Sequence, residues 1–115
     1  MRFSQWHNFE QLDRIPTRSG LFQVRQITGL LSYPSGKSAM YMYGMAPSDL
    51  RQSLDKIFFE LDKGVFLGRY SLDARSLDWS RELRRLLDDF AHRFGSEPLG
   101  NTVYGHGARI FGLDP

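Results

Sequence analysis

The amino-acid sequence predicts one α+β domain with a short, mostly antiparallel sheet flanked by helices. Three features support this prediction: two β-rich runs separated by a turn, two later stretches with apolar residues at helical spacing, and an ordinary globular composition. Of the 115 residues, 41% are hydrophobic and 14% are aromatic. A chain of this length and composition can bury a core without disulfide or metal support. The sequence therefore predicts a single domain over residues 1–115.

The first two strands are predicted on either side of a turn. Residues 1–19 are mostly polar and predict a short helix or turn that leads into the first strand. Residues 20–27 and 38–44 carry the roughly alternating aliphatic and aromatic side chains typical of strands. Residues 33–37 between them include Pro34 and Gly36, which favour turns. The two runs are therefore expected to pair as an antiparallel hairpin.

The first long helix is predicted to begin at Pro47-Ser48-Asp49, because such residues commonly start helices. Apolar residues then follow at spacings that place them on one helical face. They are Leu50, Leu54, Ile57, Phe58 and Leu61. Residues 64–70 are predicted to form a short third strand after this helix.

The second long helix is predicted from another apolar stripe. Its members are Trp79, Leu83, Leu86, Leu87, Phe90 and Phe94. Asp78 or Ser80 can cap the start of this helix, and Gly95 can end it. Residues 101–111 contain several glycines and predict a loop or a weak last strand.

Several classes of site and location are excluded or disfavoured by residue usage. The chain has no cysteine, so disulfides, thiolate metal sites and a thiol nucleophile are excluded. No run approaches the ~18 consecutive apolar residues of a membrane span, and the first residues do not resemble a signal peptide. We therefore expect a soluble, cytoplasmic protein without membrane contact. His7, His92 and His106 lack metal-ligand spacing, and each is expected to be a surface residue.

The basic residues are twelve Arg against three Lys, with a net charge of only +2. The first half, residues 1–57, holds seven basic and four acidic side chains, so an anion-binding face is expected to lie mainly there. The candidates are Arg18, Arg25, Lys37 and Arg51. Arginine forks onto phosphates, which makes nucleic acid, DNA or RNA, the expected partner. Ordinary solubility charge explains the same residues equally well.

Three segments of the sequence resemble the GIY-YIG nuclease superfamily. The first comprises Ile15-Pro16 with Gly20-Leu21-Phe22-Gln23-Val24, and the second comprises Tyr41-Met42-Tyr43-Gly44-Met45-Ala46 with Asp49-Leu50-Arg51. The third comprises Leu86-Leu87, Phe90, Phe94-Gly95, Pro98 and Asn101. The resemblance runs from residue 15 to residue 101 and implies a GIY-YIG-like fold. It also implies two strand tyrosines, a helix arginine and a glutamate around one divalent metal ion.

The chain departs from the family at the positions that carry this chemistry. Phe22 and Met42 stand where the two tyrosines are expected, and Leu83 stands where the glutamate is expected. The arginine position falls on Ser53 or Gln52, depending on a one-residue insertion. Phe22 cannot take a proton, Met42 cannot orient water and Leu83 cannot hold a cation. Gly20, Gly44 and Asn101 do match the family.

A catalytically degenerate relative that binds nucleic acid or another protein is therefore the expected function. In this interpretation Phe22, Met42 and Leu83 form an apolar pocket at the former site. Arg18, Arg25, Lys37 and Asn101 are the expected binding residues. A protein partner or a homodimer would supply any further specificity, because the chain is too short for a second recognition domain.

An active endonuclease with a rearranged site is the alternative. Tyr41, Tyr43, Arg51 and Glu82 lie beside the lost positions, and Glu82 would bind Mg²⁺ or Mn²⁺. Tyr41 and Tyr43 alternate with methionines, so both rings are expected on one face of their strand. The acids of the second helix lie close to arginines, so a solvated face held by salt bridges is the simpler interpretation of Glu82.

Overall fold

The computed structural model describes residues 2–61, 64–73 and 78–102. Its strands are β1 (Gly20–Gln26), β2 (Leu31–Tyr33), β3 (Gly36–Ser38), β4 (Met40–Ala46) and β5 (Phe66–Ser71). Its α-helices are α1 (Leu50–Glu60) and α2 (Trp79–Phe94), and two short 3-10 helices cover Phe9–Arg14 and Leu99–Asn101. The predicted α+β class with an antiparallel sheet and flanking helices is confirmed.

The main sheet has three strands in the order β4-β1-β5, and both pairs are antiparallel. The predicted pairing of the first two long strands is therefore correct. The segment predicted as a simple turn, residues 33–37, instead lies within a second small hairpin of β2 and β3. Ser35 at its tip donates its backbone N–H to the carbonyl of Phe94, which fixes this hairpin against the end of α2.

Helix α1 covers one face of the main sheet. Its stripe packs against β1 and β4 in a cluster that includes Phe22, Val24 and Met42. Gly44 is required here because the Phe22 ring lies against its Cα, and a Cβ would overlap the ring. The position of Gly68 shows the same orientation for β5, since a Cβ there would meet Leu54 of α1. These contacts define the α1 face of the sheet.

Helix α2 lies on the opposite face, over β4. Tyr43 packs with Leu87 and Phe90 in a second cluster, joined by Tyr33 of the small hairpin. The Tyr43 and Phe90 rings meet edge to face with centroids 6.0 Å apart. Among the described residues, no member of this cluster comes from β5. The β5 side of this face is therefore not covered by α2.

Most predicted helix signals agree with the structure. The Asp49 side chain accepts the backbone N–H of Gln52 and caps α1. Asp78 is the N-cap of α2 but makes no side-chain capping hydrogen bond. Gly95 ends α2 with a φ of +86°, a left-handed conformation that favours glycine. The predicted last strand at residues 101–111 falls mainly outside the described residues; Leu99–Asn101 is a 3-10 turn.

A bulge corrects the expected orientation of the two strand tyrosines. Val24 pairs with Met42, but Arg25 pairs with Met40, so Tyr41 is an extra residue on β4. Because of this insertion, Tyr41 belongs to the cluster on the α1 face, whereas Tyr43 belongs to the cluster with α2. The prediction that both rings share one face is therefore wrong.

The apolar pocket predicted from Phe22, Met42 and Leu83 is also wrong. Phe22 and Met42 are core residues on the α1 face, whereas Leu83 packs against the cluster on the α2 face. His7 was expected at the surface but is buried beside Tyr70. His92 is exposed as expected, and His106 lies outside the described residues. No described helix is long and apolar enough to cross a membrane.

Candidate functional site

A row of polar side chains crosses the sheet on the face opposite α1. Gln23 of β1 pairs with Tyr43 of β4 on one side and with Arg69 of β5 on the other. Because side chains at directly paired positions point to the same face, these three lie next to one another. Arg25, two residues after Gln23, lies on the same face. Two basic side chains therefore share this face where α2 does not cover it.

Both arginines lie over the same aromatic ring. The guanidinium carbons of Arg25 and Arg69 lie 4.3 and 4.4 Å from the centroid of the Trp6 ring. Arg69 also lies 4.9 Å from the Phe3 centroid. Such cation–π contacts contribute about 0.5–2 kcal/mol each, more when the cation is desolvated. We refer to Phe3, Trp6, Gln23, Arg25 and Arg69 as the arginine cluster.

The N-terminal segment brings the two aromatic rings to this position by pairing with β5. His7 and Gly68 exchange both backbone hydrogen bonds, at 2.7 and 2.8 Å. Ser4 donates its backbone N–H to the carbonyl of Tyr70, and its hydroxyl accepts the N–H of Tyr70. Trp6 is thereby held beside Arg69. The segment thus adds a short extended chain to the sheet and supplies the aromatic part of the cluster.

Gln23, buried in the neighbouring strand β1, fixes the position of Arg69. Its side chain is only 4% exposed, and its Oε1 accepts the Nε–H of Arg69 at 2.6 Å. A buried amide that accepts a charge-assisted hydrogen bond holds the guanidinium in one orientation. The hydrogen bond to Gln23 uses the Nε–H of Arg69 and leaves its Nη atoms to contact a ligand.

The positive charge of the cluster is not neutralised within the described residues. No carboxylate in them lies within ion-pair distance of Arg25 or Arg69. Burial, and next the charge of Arg25, lower the pKa of Arg69 from its usual value. Arginine remains protonated at neutral pH even so. The Nε atom of Arg25 is buried and finds no hydrogen-bond partner among the described residues. Two half-buried cations side by side create a local preference for an anion.

Tyr43 borders the cluster as a neutral hydroxyl. Burial raises the pKa of Tyr43, while the charge of Arg69 opposes this effect. The phenol therefore remains protonated at neutral pH and can donate a hydrogen bond. Among the predicted catalytic residues, Tyr43 is the one that lies near Arg69.

The other predicted catalytic residues lie elsewhere. Tyr41 packs against Phe66 on the α1 face, with ring centroids 5.2 Å apart. Arg51 donates its Nε–H to the carbonyl of Ile15 and an Nη–H to the carbonyl of Asp13. Its guanidinium therefore joins α1 to the end of the first 3-10 helix.

Glu82 belongs to the charged surface of α2. Its carboxylate lies 3.0 Å from Nη2 of Arg85, which also contacts Asp89. Arg51 is on α1 and Glu82 is on α2, so helices on opposite faces of the sheet carry them. Within the described ranges, no group of three or more acidic or histidine side chains has the arrangement of a metal site. The structure does not bring Tyr41, Arg51 and Glu82 together.

The four predicted binding residues are dispersed. Arg25 is in the arginine cluster, whereas Arg18 lies before the other end of β1, and Lys37 is exposed on β3. The Asn101 carboxamide accepts the N–H of Tyr43 at 2.8 Å and donates to its carbonyl at 2.7 Å. Asn101 therefore binds the outer edge of β4 as a neighbouring peptide group would.

Arg69, Trp6 and Gln23 were not predicted as site residues. Charge counting directed attention to the first half of the sequence, although Arg69 lies in the second half. A usable signal exists in the polar residues that interrupt the apolar strand runs, Gln23 and Arg25 in one and Arg69 in another. Their meeting depends on the pairing of β1 with β5, which no local pattern predicts.

Neither a scan against protein-family models nor a search of the curated proteins finds a match to the chain.

Proposed function

We propose that this protein is a nucleic-acid-binding module, a catalytically degenerate relative of the GIY-YIG nucleases, and that the arginine cluster is its phosphate contact. One observation carries the proposal: two adjacent guanidiniums lie over Trp6 without a carboxylate partner in the described chain. A cytoplasmic location belongs to the same proposal.

Phosphodiester groups suit this cluster for two reasons. Guanidinium groups donate several hydrogen bonds in a fixed fork that matches phosphate oxygens. Partial burial also makes each contact stronger than it would be in bulk water. Phe3 and Trp6 add aromatic surface beside the charge, a combination typical of nucleic-acid-binding sites.

The surroundings of Arg51 and Glu82 favour binding over catalysis. Arg51 already donates to two backbone carbonyls, and Glu82 already accepts from Arg85. A one-metal nuclease needs such groups close to one another and free to reach the phosphate. An active endonuclease that uses these residues would require both contacts to break.

The test is a binding titration at two salt concentrations with labelled DNA and RNA. We expect Arg25→Gln and Arg69→Gln each to weaken binding and to reduce its salt dependence, since each removes a phosphate contact. Lys56→Gln is the matched control, because it removes one positive charge from α1, on the other side of the sheet. Equal losses in all three variants would contradict a specific cluster and leave only general charge.

A cleavage assay with Mg²⁺ and with Mn²⁺ separates the two functional classes. We expect intact substrate in both. Cleavage that disappears in Glu82→Ala would replace this proposal with an active endonuclease. Absence of any salt-sensitive binding to nucleic acid would instead direct the search to a protein partner or a homodimer.

A further inference from the structure

The arginine cluster continues into an apolar strip on the same face of the sheet. Leu67 pairs directly with Arg25 and therefore lies beside it. The β1–β5 pairing extends one residue past the strand, since Ile27 donates its N–H to the carbonyl of Val65. Ile27 lies one residue beyond the end of β1, at the Arg25 end of the strip, and is 45% exposed. From Gln23 to Ile27 the strip extends about 13 Å.

Resting on the proposed function, we infer that this strip binds a single strand of nucleic acid with unpaired bases, and not a duplex. The ligand is identified by its chemistry. A single strand offers phosphates together with the apolar faces of its bases, whereas a duplex covers those faces by stacking and presents phosphates and base edges. Cations next to exposed Ile27 and to aromatic rings match the first surface.

The position of the arginines in the sheet supports the same choice. Protein elements that enter the major groove of a duplex are a helix or a two-stranded ribbon. Arg25 lies on β1, which has β4 on one side and β5 on the other, so its backbone cannot enter a groove. A flexible strand can instead lie across a sheet, as in sheets that hold about two or three stacked bases.

The contacts of the guanidiniums give the bases a place to stack. The guanidinium carbons of Arg25 and Arg69 lie 4.3 and 4.4 Å from the centroid of the Trp6 ring, and that of Arg69 lies 4.9 Å from the centroid of Phe3. Guanidinium planes stack on unpaired bases as well as on aromatic rings. A base beside Trp6 or Arg25 would extend this stack, and Gln23 would hold Arg69 in position to contact the adjoining phosphate.

The experiment compares one sequence in two forms, a single strand of about twelve nucleotides and the same sequence closed as a hairpin duplex. Both are titrated at one salt concentration into the full chain carrying Trp79→Phe, so that Trp6 is the remaining tryptophan. We expect the single strand to bind at least about tenfold more tightly than the duplex and to change the Trp6 fluorescence. Equal or tighter duplex binding would overturn the inference, and so would saturation by the single strand without a change in fluorescence.

Two variants add a second measurement. Trp6→Leu should weaken single-strand binding about tenfold and duplex binding by a smaller factor, because only the single strand loses base stacking in addition to the support of the arginines. Because Trp6 also supports the fold, Ile27→Ser provides an independent variant at a half-exposed position. It should weaken single-strand binding about threefold and lower the unfolding midpoint only slightly, because Ile27 is only partly buried. Unchanged single-strand affinity in the folded Ile27→Ser variant would contradict the proposed strip.

Failure of the inference is distinguishable from failure of the proposed function. Salt-sensitive binding that depends on Arg25 and Arg69 but favours the duplex overturns the inference alone. Absence of salt-sensitive binding to either form overturns the proposed function and the inference together.

Discussion

Arginine occurs in two regions of this molecule with opposite surroundings. On α2, Arg84 contacts Asp88 and Glu97, and Arg85 contacts Glu82 and Asp89. In the arginine cluster, the charged groups of Arg25 and Arg69 contact the Trp6 ring, and no carboxylate of the described residues pairs with them. The same side chain is neutralised in one region and left available in the other.

We expect the neighbours of an arginine, more than its solvent exposure, to decide whether it can bind an anion. The α2 arginines are the more exposed pair, yet each has two acidic neighbours that compete with any incoming anion. An aromatic ring stabilises a guanidinium without cancelling its charge. Anion binding is therefore expected where solvent exposure is lower but acidic neighbours are missing. Substitutions in the two regions test this difference, from the largest expected effect to the smallest.

Removing both cluster arginines should have the largest effect. We expect Arg25→Gln with Arg69→Gln to weaken single-strand binding about hundredfold, because charge-assisted hydrogen bonds contribute about 1.5–3 kcal/mol each. The slope of the salt dependence should fall by about 0.7 for each phosphate that is no longer neutralised. The matched control is Arg84→Gln with Arg85→Gln on α2, which should change affinity less than about twofold. Anisotropy titrations measure both; similar losses in the two double variants would remove the distinction between the regions.

Removing the shared ring should destabilise the cluster. Trp6→Ala deletes the ring that both guanidiniums contact and the apolar area that it covers, so we expect a loss of about 2–3 kcal/mol in the free energy of unfolding. Urea denaturation followed by circular dichroism gives the value. A loss under about 0.5 kcal/mol, the range of ordinary surface changes, would show that the ring contacts contribute little.

Replacing the amide under Arg69 should have a smaller effect. Gln23→Leu keeps the side-chain size but removes the acceptor of the Arg69 Nε–H, so we expect a loss of about 1–2 kcal/mol in stability. Single-strand affinity should also fall several-fold because the guanidinium loses its fixed orientation. Gln52→Leu, at an exposed position of α1, is the control and should stay within about 0.5 kcal/mol of the parent. Unchanged stability and affinity in Gln23→Leu would mean that Arg69 does not need the hydrogen bond to Gln23.

His7 gives the N-terminal segment a dependence on pH. Burial, and next the charge of Arg14, lower the pKa of His7 from its usual value of 6.5. The unfolded chain therefore takes up the proton first, so the contribution of neutral His7 is complete above about pH 6.5 and is lost as the pH falls through the folded-state pKa. Urea denaturation at pH 7 and pH 5 should show this loss. His7→Gln should reduce the loss of stability between pH 7 and pH 5, whereas His92→Gln on the exposed surface of α2 should not. The same loss in the parent and in both variants would contradict a role of His7 in this pH dependence.

Removing one acid from α2 should have the smallest effect. Glu82→Gln leaves Arg85 with Asp89, and exposed ion pairs typically contribute about 0–1 kcal/mol. We expect a change below about 0.5 kcal/mol in stability and no loss of nucleic-acid binding. Thermal denaturation and the same titrations measure both quantities. A larger stability loss would show that the α2 network is cooperative.

Local sequence patterns were sufficient for the long elements. The stripe from Leu50 to Leu61 and the stripe from Trp79 to Phe94 predicted both helices, and Asp49 and Gly95 marked a start and an end. These signals lie within a few residues of one another, where periodicity and capping chemistry act directly. The salt-bridged surface of α2 followed for the same reason, because its acids and arginines are three or four residues apart.

The candidate site could not be predicted from local patterns, because its residues come together through pairing between distant segments. Trp6 reaches Arg69 by way of the His7–Gly68 pairing, and the two segments are about sixty residues apart in the chain. The bulge at Tyr41 changed the face of one tyrosine without a glycine or proline to signal it. One inserted residue reverses the orientation that strict alternation predicts.

The contacts of Asn101 and of the N-terminal segment also protect the margins of the sheet. Outward-pointing peptide groups on an edge strand are templates on which another chain can add a strand and aggregate. On the outer edge of β4, the Asn101 carboxamide hydrogen-bonds the backbone N–H and carbonyl of Tyr43. On the outer edge of β5, the N-terminal segment hydrogen-bonds the backbone groups of Gly68 and Tyr70. Growth of the sheet by a second molecule is blocked at these positions. Replacing Asn101 with a residue that lacks the carboxamide would therefore expose the edge of β4 and promote self-association at high protein concentration.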